Sequence, residues 1–149
     1  MKKILIPVDS SEFSERAIEE GKKMAKAFGS EVLLLHVVGL RIAPTVTMRF
    51  SATAPQGKPV DPYEDHEKKN ANDMLAAYKE TFGEIKDKVE IQVLHGIVAD
   101  EVIKAINNTD VDFAIMGSHG IGSALYRTLL GSVTNKVVHH SKKPVLVIK

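Results

Sequence analysis

The chain has no cysteine among its 149 residues. Disulfide bridges, thiolate metal sites and thiol nucleophiles are therefore excluded. It also lacks any stretch approaching the roughly 20 apolar residues that a membrane-spanning helix needs. The apolar run at 4–8 contains Pro7 and ends at Asp9, well short of the roughly 7–15 residues of a secretory h-region. We therefore expect a cytoplasmic protein that does not enter a membrane.

A surplus of charge of one sign is missing as well. Twenty basic residues against 19 acidic ones give a formal net charge of +1, which offers no electrostatic reason to expect binding to nucleic acid or anionic lipid. The hydrophobic fraction of 44% and the charged fraction of 26% are ordinary for a globular protein. With no internal repeat and no composition shift that marks a second domain, residues 1–149 are interpreted as one domain.

Patterns typical of hydrolases and zinc sites are also absent. No Ser-His-Asp order and no nucleophile elbow surrounds any serine. His139 and His140 are adjacent, so on a helix they point about 100° apart and cannot chelate as an i, i+4 pair does. His36, His66 and His95 have no acidic partner at ligand spacing. A zinc site is therefore not expected.

Short apolar runs alternate with segments of helical period along the chain. The runs predict strands at 4–8, 32–38, 89–94, 113–116 and 145–148, and helices are predicted between them. Unbroken apolar runs are typical of strands buried on both faces. This order predicts a single-domain α/β fold, a doubly wound five-stranded parallel sheet with helices on both faces. In such sheets the ligand crevice lies at the carboxyl ends of the strands, where the strand order reverses.

Gly39 to Asp61 fits no period and holds three prolines and three threonines. Connections longer than about 12–15 residues are uncommon in compact domains and are usually lids, binding arms or disordered segments. A mobile surface loop is the favoured interpretation. An oligomer arm with a brief strand at 46–50 remains open.

Two glycine turns stand near the end of the chain. Gly117-Ser118-His119-Gly120 follows the fourth strand, and Gly131-Ser132-Val133-Thr134 opens the last helix. Glycine lets the backbone approach a ligand closely, and Ser132 is interpreted as the N-cap of a helix whose first N–H groups can meet an anion. Turn and cap roles alone explain each glycine singly. The joint arrangement favours a site for nucleotide phosphates, which His119 could also contact.

Known phosphate motifs fit these turns poorly. Gly117 to Gly122 has the glycine spacing of a P-loop, but Ser123 stands where that motif has lysine, and the loop follows the fourth strand rather than the first. The dinucleotide fingerprint fails because no third glycine follows Gly120 and Gly122 at its spacing.

Asp9 closes the first strand, after Pro7 and Val8. Its carboxylate could accept hydrogen bonds from a ribose or from an adenine amino group. Alternatively, it could cap the first helix, with Glu12 three residues later completing a capping box. Val37, at the end of the second strand, could offer an apolar surface to a base or belong to the core. All of these readings stay open on the residues alone.

Several segments together resemble the universal stress protein family, over essentially the whole chain. They are Ile4–Ser11, Leu34–Val37, Gly96 with Ala99–Ile103, Met116–Gly120, Leu129–Thr134 and Lys143–Ile148. The ATP-binding branch of that family carries Gly-x-x-Gly, nine residues, then Gly-Ser or Gly-Thr. Here ten residues separate Gly120 from Gly131, and the extra one is expected to bulge near 121–123.

The resemblance implies a strand order of 3-2-1-4-5, with ATP and a divalent ion, Mg²⁺ or Mn²⁺, across the ends of strands one and four. It implies a homodimer through the final strand, 144–148. It also implies two groups of binding residues. Those around adenine and ribose would be Pro7, Val8, Asp9 and Val37; those around the phosphates would be Gly117, Ser118, His119, Gly120, Gly131, Ser132, Val133 and Thr134. Met116 would belong to the same binding site.

The resulting hypothesis is an ATP-binding regulatory protein of the stress response, homodimeric and without efficient catalysis. The phosphate loop contains no lysine, and Arg127 is the nearest cation in the sequence, whereas efficient phosphoryl transfer needs charge neutralisation. Two alternatives stay open. One is a slow ATPase or phosphotransferase using Asp9 or His119, and the other is a protein-interaction module that binds no nucleotide.

Overall fold

The computed structural model describes residues 2–39, 62–121 and 130–149, with the backbone alone at 62–65. These ranges form an alternating α/β chain. Its elements are β1 (Lys3–Pro7), α1 (Glu12–Phe28), β2 (Glu31–Gly39), α2 (Pro62–Glu80), a 3₁₀ helix (Gly83–Lys88), β3 (Val89–Gly96), α3 (Val98–Asn108), β4 (Phe113–Gly117), α4 (Ser132–His140) and β5 (Val145–Ile148).

The five strands form one parallel sheet in the order β3-β2-β1-β4-β5. The predicted fold class and strand order are therefore confirmed. β2 and β3 follow β1 toward one edge of the sheet, whereas β4 lies on the other side of β1. The strand order thus reverses between β1 and β4, which is where an open α/β sheet leaves a crevice.

Each face of the sheet has its own apolar core, because side chains alternate along a strand. Ile4, Ile6 and Leu34 pack on the face covered by α1 and α2. Leu5 and Leu35 pack on the face covered by α3 and α4. The central strand β1 is fully enclosed, since Ile4, Leu5 and Ile6 are 0% exposed. This burial on both faces is the reason that the strand sequences show no polar alternation.

The helix ends follow the signals in the sequence only in part. Ser11 caps α1, and Gly29 ends it in the left-handed region at φ 68°, as glycine favours. By contrast, α2 ends at Glu80 rather than at Gly83, and the 3₁₀ helix after it was not predicted. Phe82, which lies between α2 and the 3₁₀ helix in the sequence, is 1% exposed and belongs to the core that α1 and α2 cover. The burial of Phe82 fixes the position of the short segment between α2 and the 3₁₀ helix, a segment whose sequence has no helical period.

Several expectations fall outside the described residues. They concern the segment from 40 to 61, Arg127 and the bulge beyond Ile121, so those stay predictions. Within the described ranges, no helix is long and apolar enough to cross a membrane.

Gly117, the last residue of β4, lies against the backbone of helix α1. A Cβ at this position would lie 2.7 Å from Phe13 Cβ, 2.8 Å from Phe13 C and 2.9 Å from Phe13 O. Two of these atoms belong to the helix backbone and cannot swing aside. Packing between α1 and β4 therefore requires glycine at 117, independently of any ligand.

We expect Gly117→Ala to lower the free energy of unfolding by about 1–3 kcal/mol, the usual cost of overpacking a rigid core. Gly39→Ala is the matched control, because the nearest described atom to its Cβ would be Val98 Cγ2, at an ordinary 3.8 Å. Urea unfolding of both variants measures the difference. Equal stability of the two variants would contradict this account of Gly117.

Candidate functional site

A cavity of about 300 Å³ opens at the carboxyl ends of β1, β2 and β4, beside the first turn of α4. This is the point where the strand order reverses. All the predicted site residues except Ser118 line it. The sequence did not point to six further residues of its lining: Ser14, Leu35, His36, Val98, Val102 and Ile121.

One end of the cavity is apolar. Leu35 and Val37 lie two apart on β2 and so share a face of the sheet. Val98 and Val102, one helical turn apart on α3, pack against the same cluster. Met116 on β4 completes this wall. The i, i+4 pair on α3 was a readable signal, but only the fold shows that it meets the end of β2.

Asp9 ties the exit of β1 to the loop that follows β4. Its Oδ1 accepts from Ser11 N at 3.1 Å and from Ser11 Oγ at 2.6 Å, and its Oδ2 accepts from Ile121 N at 3.2 Å. The N-cap of α1 is Ser11, whose Oγ accepts from Ser14 N at 3.1 Å. The interpretation of Asp9 as the cap is therefore wrong. Asp9 stands two residues too early and instead folds its own turn.

The two glycine turns touch each other. Gly131 N donates to Ser118 O at 2.8 Å, and a Cβ at 131 would lie 3.3 Å from His119 Cα and 3.8 Å from Gly120 N. The ten-residue spacing therefore still brings both turns to one place. The close approach at Gly131 is to the neighbouring backbone, and its N–H group is already engaged. The anion donors must come from the residues after it.

The first turn of α4 supplies such donors. Gly131 is the N-cap, since its carbonyl accepts the first helical bond, from Asn135 N at 2.8 Å. Ser132 is thus the first helical residue, and its assignment as the cap is wrong by one position. The N–H groups of Ser132, Val133 and Thr134 precede the first intrahelical donor, so they lie at the positive end of the helix dipole.

The side chain of Thr134 has a structural partner. Its Oγ1 donates to Gly117 O at 2.9 Å, and the residue is only 3% exposed. The proton of this hydroxyl is therefore used within the fold, which leaves the backbone N–H group of Thr134 as its donor toward the cavity. The bond joins the first turn of α4 to the end of β4 and so fixes the rim of the cavity.

Ser118 and His119 hold the loop after β4 against the core. Ser118 is 1% exposed, and its N donates to Ile148 O at 2.7 Å, which explains why it does not line the cavity. His119 places Nδ1 3.0 Å from Ser118 Oγ and its ring 5.2 Å from the ring of Phe13. Both residues thereby connect the glycine loop to the core.

Negative charge in the described lining of the cavity comes from Asp9, and no lysine or arginine is among those residues. The charge of Asp9 reaches Tyr78 on α2. Burial raises the pKa of the Tyr78 hydroxyl, and its hydrogen bond to Glu15 at 3.1 Å and the charges of Glu15 and Asp9 raise the pKa further. Over 2–39, 62–121 and 130–149, no three His, Asp or Glu side chains cluster as a metal site would require.

Sequence comparison agrees with this architecture along the whole chain. The model of the universal stress protein family matches residues 1–149. The chain belongs to the universal stress protein family. Universal stress protein MJ0577 of Methanocaldococcus jannaschii is 35% identical over 154 residues, which cover 99% of this chain and 94% of the relative.

Solved structures of universal stress proteins share the fold. A structure of MJ0577 has a TM-score of 0.72 at 34% identity and covers 99% of this chain and 95% of that one. UspA from Lactobacillus plantarum has a TM-score of 0.77 at 23% identity and covers 99% and 97%. A universal stress protein from Archaeoglobus fulgidus in complex with dAMP has a TM-score of 0.62 at 19% identity and covers 100% and 98%.

The Asp9 turn yields a stability prediction. Ser11→Ala removes both the helix cap and the hydroxyl that donates to Asp9, so we expect a loss of about 1 kcal/mol in the free energy of unfolding. The control is Ser10→Ala, because the described partner of the exposed Ser10 hydroxyl is the sulfur of Met74, a weak acceptor. Thermal unfolding of the two variants should separate them, and a Ser11→Ala melt equal to the control would refute this role.

Proposed function

We propose that the protein binds an adenine nucleotide, ATP in particular, in the cavity between β1, β4 and α4, and that it acts as a regulatory protein of the stress response. One observation carries the proposal. A single cavity combines an apolar wall from β2 and α3 with the positive end of a helix, at the point where the strand order reverses.

The two ends of the cavity suit the two ends of a nucleotide. The wall formed by Leu35, Val37, Val98 and Val102 offers a base an apolar surface. The N–H groups of 132–134 offer the phosphates unused helix donors. Between them Asp9 is placed to accept from ribose hydroxyls, and Pro7 and Val8 flank it. A volume of about 300 Å³ is at the lower end of the usual range for ligand sites, roughly 300–1,000 Å³.

Relatives support the chemistry of the ligand. The Archaeoglobus fulgidus protein with the same fold was solved with dAMP, an adenine nucleotide. The preference for a triphosphate is our own extension, and it rests on the three successive N–H groups at the start of α4. A divalent ion, Mg²⁺ or Mn²⁺, would take most of its ligands from the phosphates, since Asp9 is the acidic residue among those described in the cavity lining.

The site favours nucleotide binding without efficient hydrolysis. Phosphoryl transfer needs cations that neutralise charge in the transition state, and the described lining holds neither lysine nor arginine. The two groups considered as catalysts are engaged in the fold, Asp9 with Ser11 and Ile121, and His119 with Ser118 and Phe13. A slow ATPase is the second candidate function. For either function we propose that the protein acts in the cytoplasm.

We also propose a homodimer that pairs through the final strand. β5 is an edge of the sheet. Pro144 O and Ile148 O accept from β4, so by the alternation of a strand the backbone groups of Val145 and Val147 point away from β4. Leu146 is 40% exposed, although leucine is usually buried in a core. No strand among the described residues pairs with this edge, and an uncovered strand edge is an association hazard, which pairing with a second copy would remove.

Nucleotide binding is tested by isothermal titration with ATP and with a blocked variant. Gly131→Val should weaken ATP binding at least about tenfold, or roughly 1.4 kcal/mol, because its side chain would push the 118–120 backbone out of place. Val138→Ala, at an exposed site on α4, is the control and should bind normally. A circular dichroism melt shows whether each variant remains folded.

Two results would contradict the proposal. The first is the absence of heat with ATP at near-millimolar concentration, which would favour a module that binds no nucleotide. The second is phosphate release near the enzyme median of about 10 per second, which would show an efficient enzyme rather than a regulatory binder.

The dimer is tested with Val147→Pro, which deletes one outward-facing N–H group of β5. In native mass spectrometry the wild type should have twice the mass of the chain, and the variant should be a folded monomer. Leu146→Pro is the matched comparison, because its N–H group faces β4, so it should instead lower the melting temperature. A monomeric wild type would contradict the proposed pairing.

A further inference from the structure

The end of β5 is attached to the loop at the rim of the nucleotide cavity. Ser118, the first residue after β4, donates its N–H group to Ile148 O at 2.7 Å. Its own carbonyl oxygen accepts from Gly131 N at 2.8 Å, at the N-cap of α4. One buried residue therefore connects the helix start proposed for the phosphates with the strand proposed for the dimer.

A second connection runs through side chains of α1. The ring of Phe13 lies 5.2 Å from the ring of His119, and the guanidinium carbon of Arg16 lies 5.7 Å from the centre of the Phe13 ring. Arg16 in turn donates from Nη1 to Lys149 O at 3.3 Å. The loop after β4 is thus connected to 148–149 by two routes, one through the backbone and one through side chains.

These connections matter because β5 has little burial of its own. It is an edge strand of four residues that are half-buried or exposed, whereas all five residues of β4 are buried. Segments with few buried contacts open locally at a small cost in free energy, chain ends above all. A frayed end would separate Ile148 from Ser118. It would also move the backbone groups of Val147 out of line for pairing with a second copy.

We propose that nucleotide binding and dimer formation are linked through Ser118, so that each strengthens the other. Phosphates bound at 132–134 hold the first turn of α4, and with it Gly131 and the peptide groups of Ser118. The docked state of the β5 end is then more populated, and the docked state is the one that pairs. The inference rests on the proposed function, on its nucleotide site as well as its dimer. It adds an output, a change in assembly that follows the nucleotide.

Analytical ultracentrifugation with and without ATP measures the linkage. We expect saturating ATP to lower the dimer dissociation constant at least about fivefold, the lower end of the usual coupling between two sites. Linkage is reciprocal, so the ATP dissociation constant must fall by the same factor from the monomer to the dimer. Equilibrium dialysis of ATP against protein below and above its dimer dissociation constant measures that factor independently.

Arg16→Met removes the second connection and leaves the described lining of the nucleotide cavity unchanged. The end of β5 then frays more, so we expect the nucleotide-free dimer to weaken at least about fivefold and saturating ATP to recover most of the loss. Lys23→Met is the matched control. Each variant deletes a cation that pairs with a glutamate of α1, Glu12 for Arg16 and Glu20 for Lys23. Since exposed pairs contribute little, Lys23→Met should keep both dissociation constants within about twofold of the wild type.

The outcomes separate this linkage from the proposals on which it rests. Failure of ATP to bind would overturn the nucleotide site together with the linkage. A wild type that stays monomeric would overturn the dimer together with the linkage and leave nucleotide binding standing. A dimer that binds ATP but assembles equally well without it would overturn the linkage alone. The linkage would also be overturned if Arg16→Met and Lys23→Met weakened the dimer alike, or if ATP did not recover the Arg16→Met dimer.

Discussion

The bond from Gly131 N to Ser118 O holds the site together. It joins the first turn of α4 to the loop after β4, and Gly131 has no side chain because His119 Cα lies where a Cβ would need room. Thr134 Oγ1 adds a second tie, to Gly117 O. Together these contacts set the direction of the α4 axis, so the N–H groups of 132–134 are aimed by backbone packing rather than by a ligand. Such preorganisation lowers the cost of binding an anion.

Asp9 makes the corresponding contact from the other side of the crevice. Its carboxylate bridges Ser11 and Ile121, two residues separated by most of the chain. A Cβ at Gly120 would lie 2.6 Å from Asp9 Oδ2, so glycine at 120 leaves room for this bridge. The glycines of the two turns therefore serve close contacts within the protein. Their relation to a ligand is indirect, through the shape that these contacts give to the cavity.

Much of the fold could be predicted from the sequence, because runs such as Ile4–Val8 and Val32–Val38 are apolar only if both faces of a strand are buried. The order of the strands came from the resemblance to the universal stress proteins. Individual partners could not be predicted, since Asp9 with Ile121 and His36 with Val8 meet only after distant strands pair. For the same reason Val98 and Val102 looked like ordinary core residues of α3. The cap of α4 was misplaced by one residue and the alternative that Asp9 caps α1 was wrong, because Asp9 and Ser132 are favourable cap residues that stand close to the actual ones.

The central claim is that an adenine nucleotide lies in the crevice with its phosphates at the start of α4. It is tested most directly by a titration of ¹⁵N-labelled protein with ATP, followed by the amide signals of the assigned backbone. The account predicts the largest shifts at Ser132, Val133 and Thr134, with smaller ones at Asp9 and Val37 and none at Glu90, on the far edge strand. Saturating shifts confined to other parts of the sheet, with the amides of α4 unmoved, would contradict it.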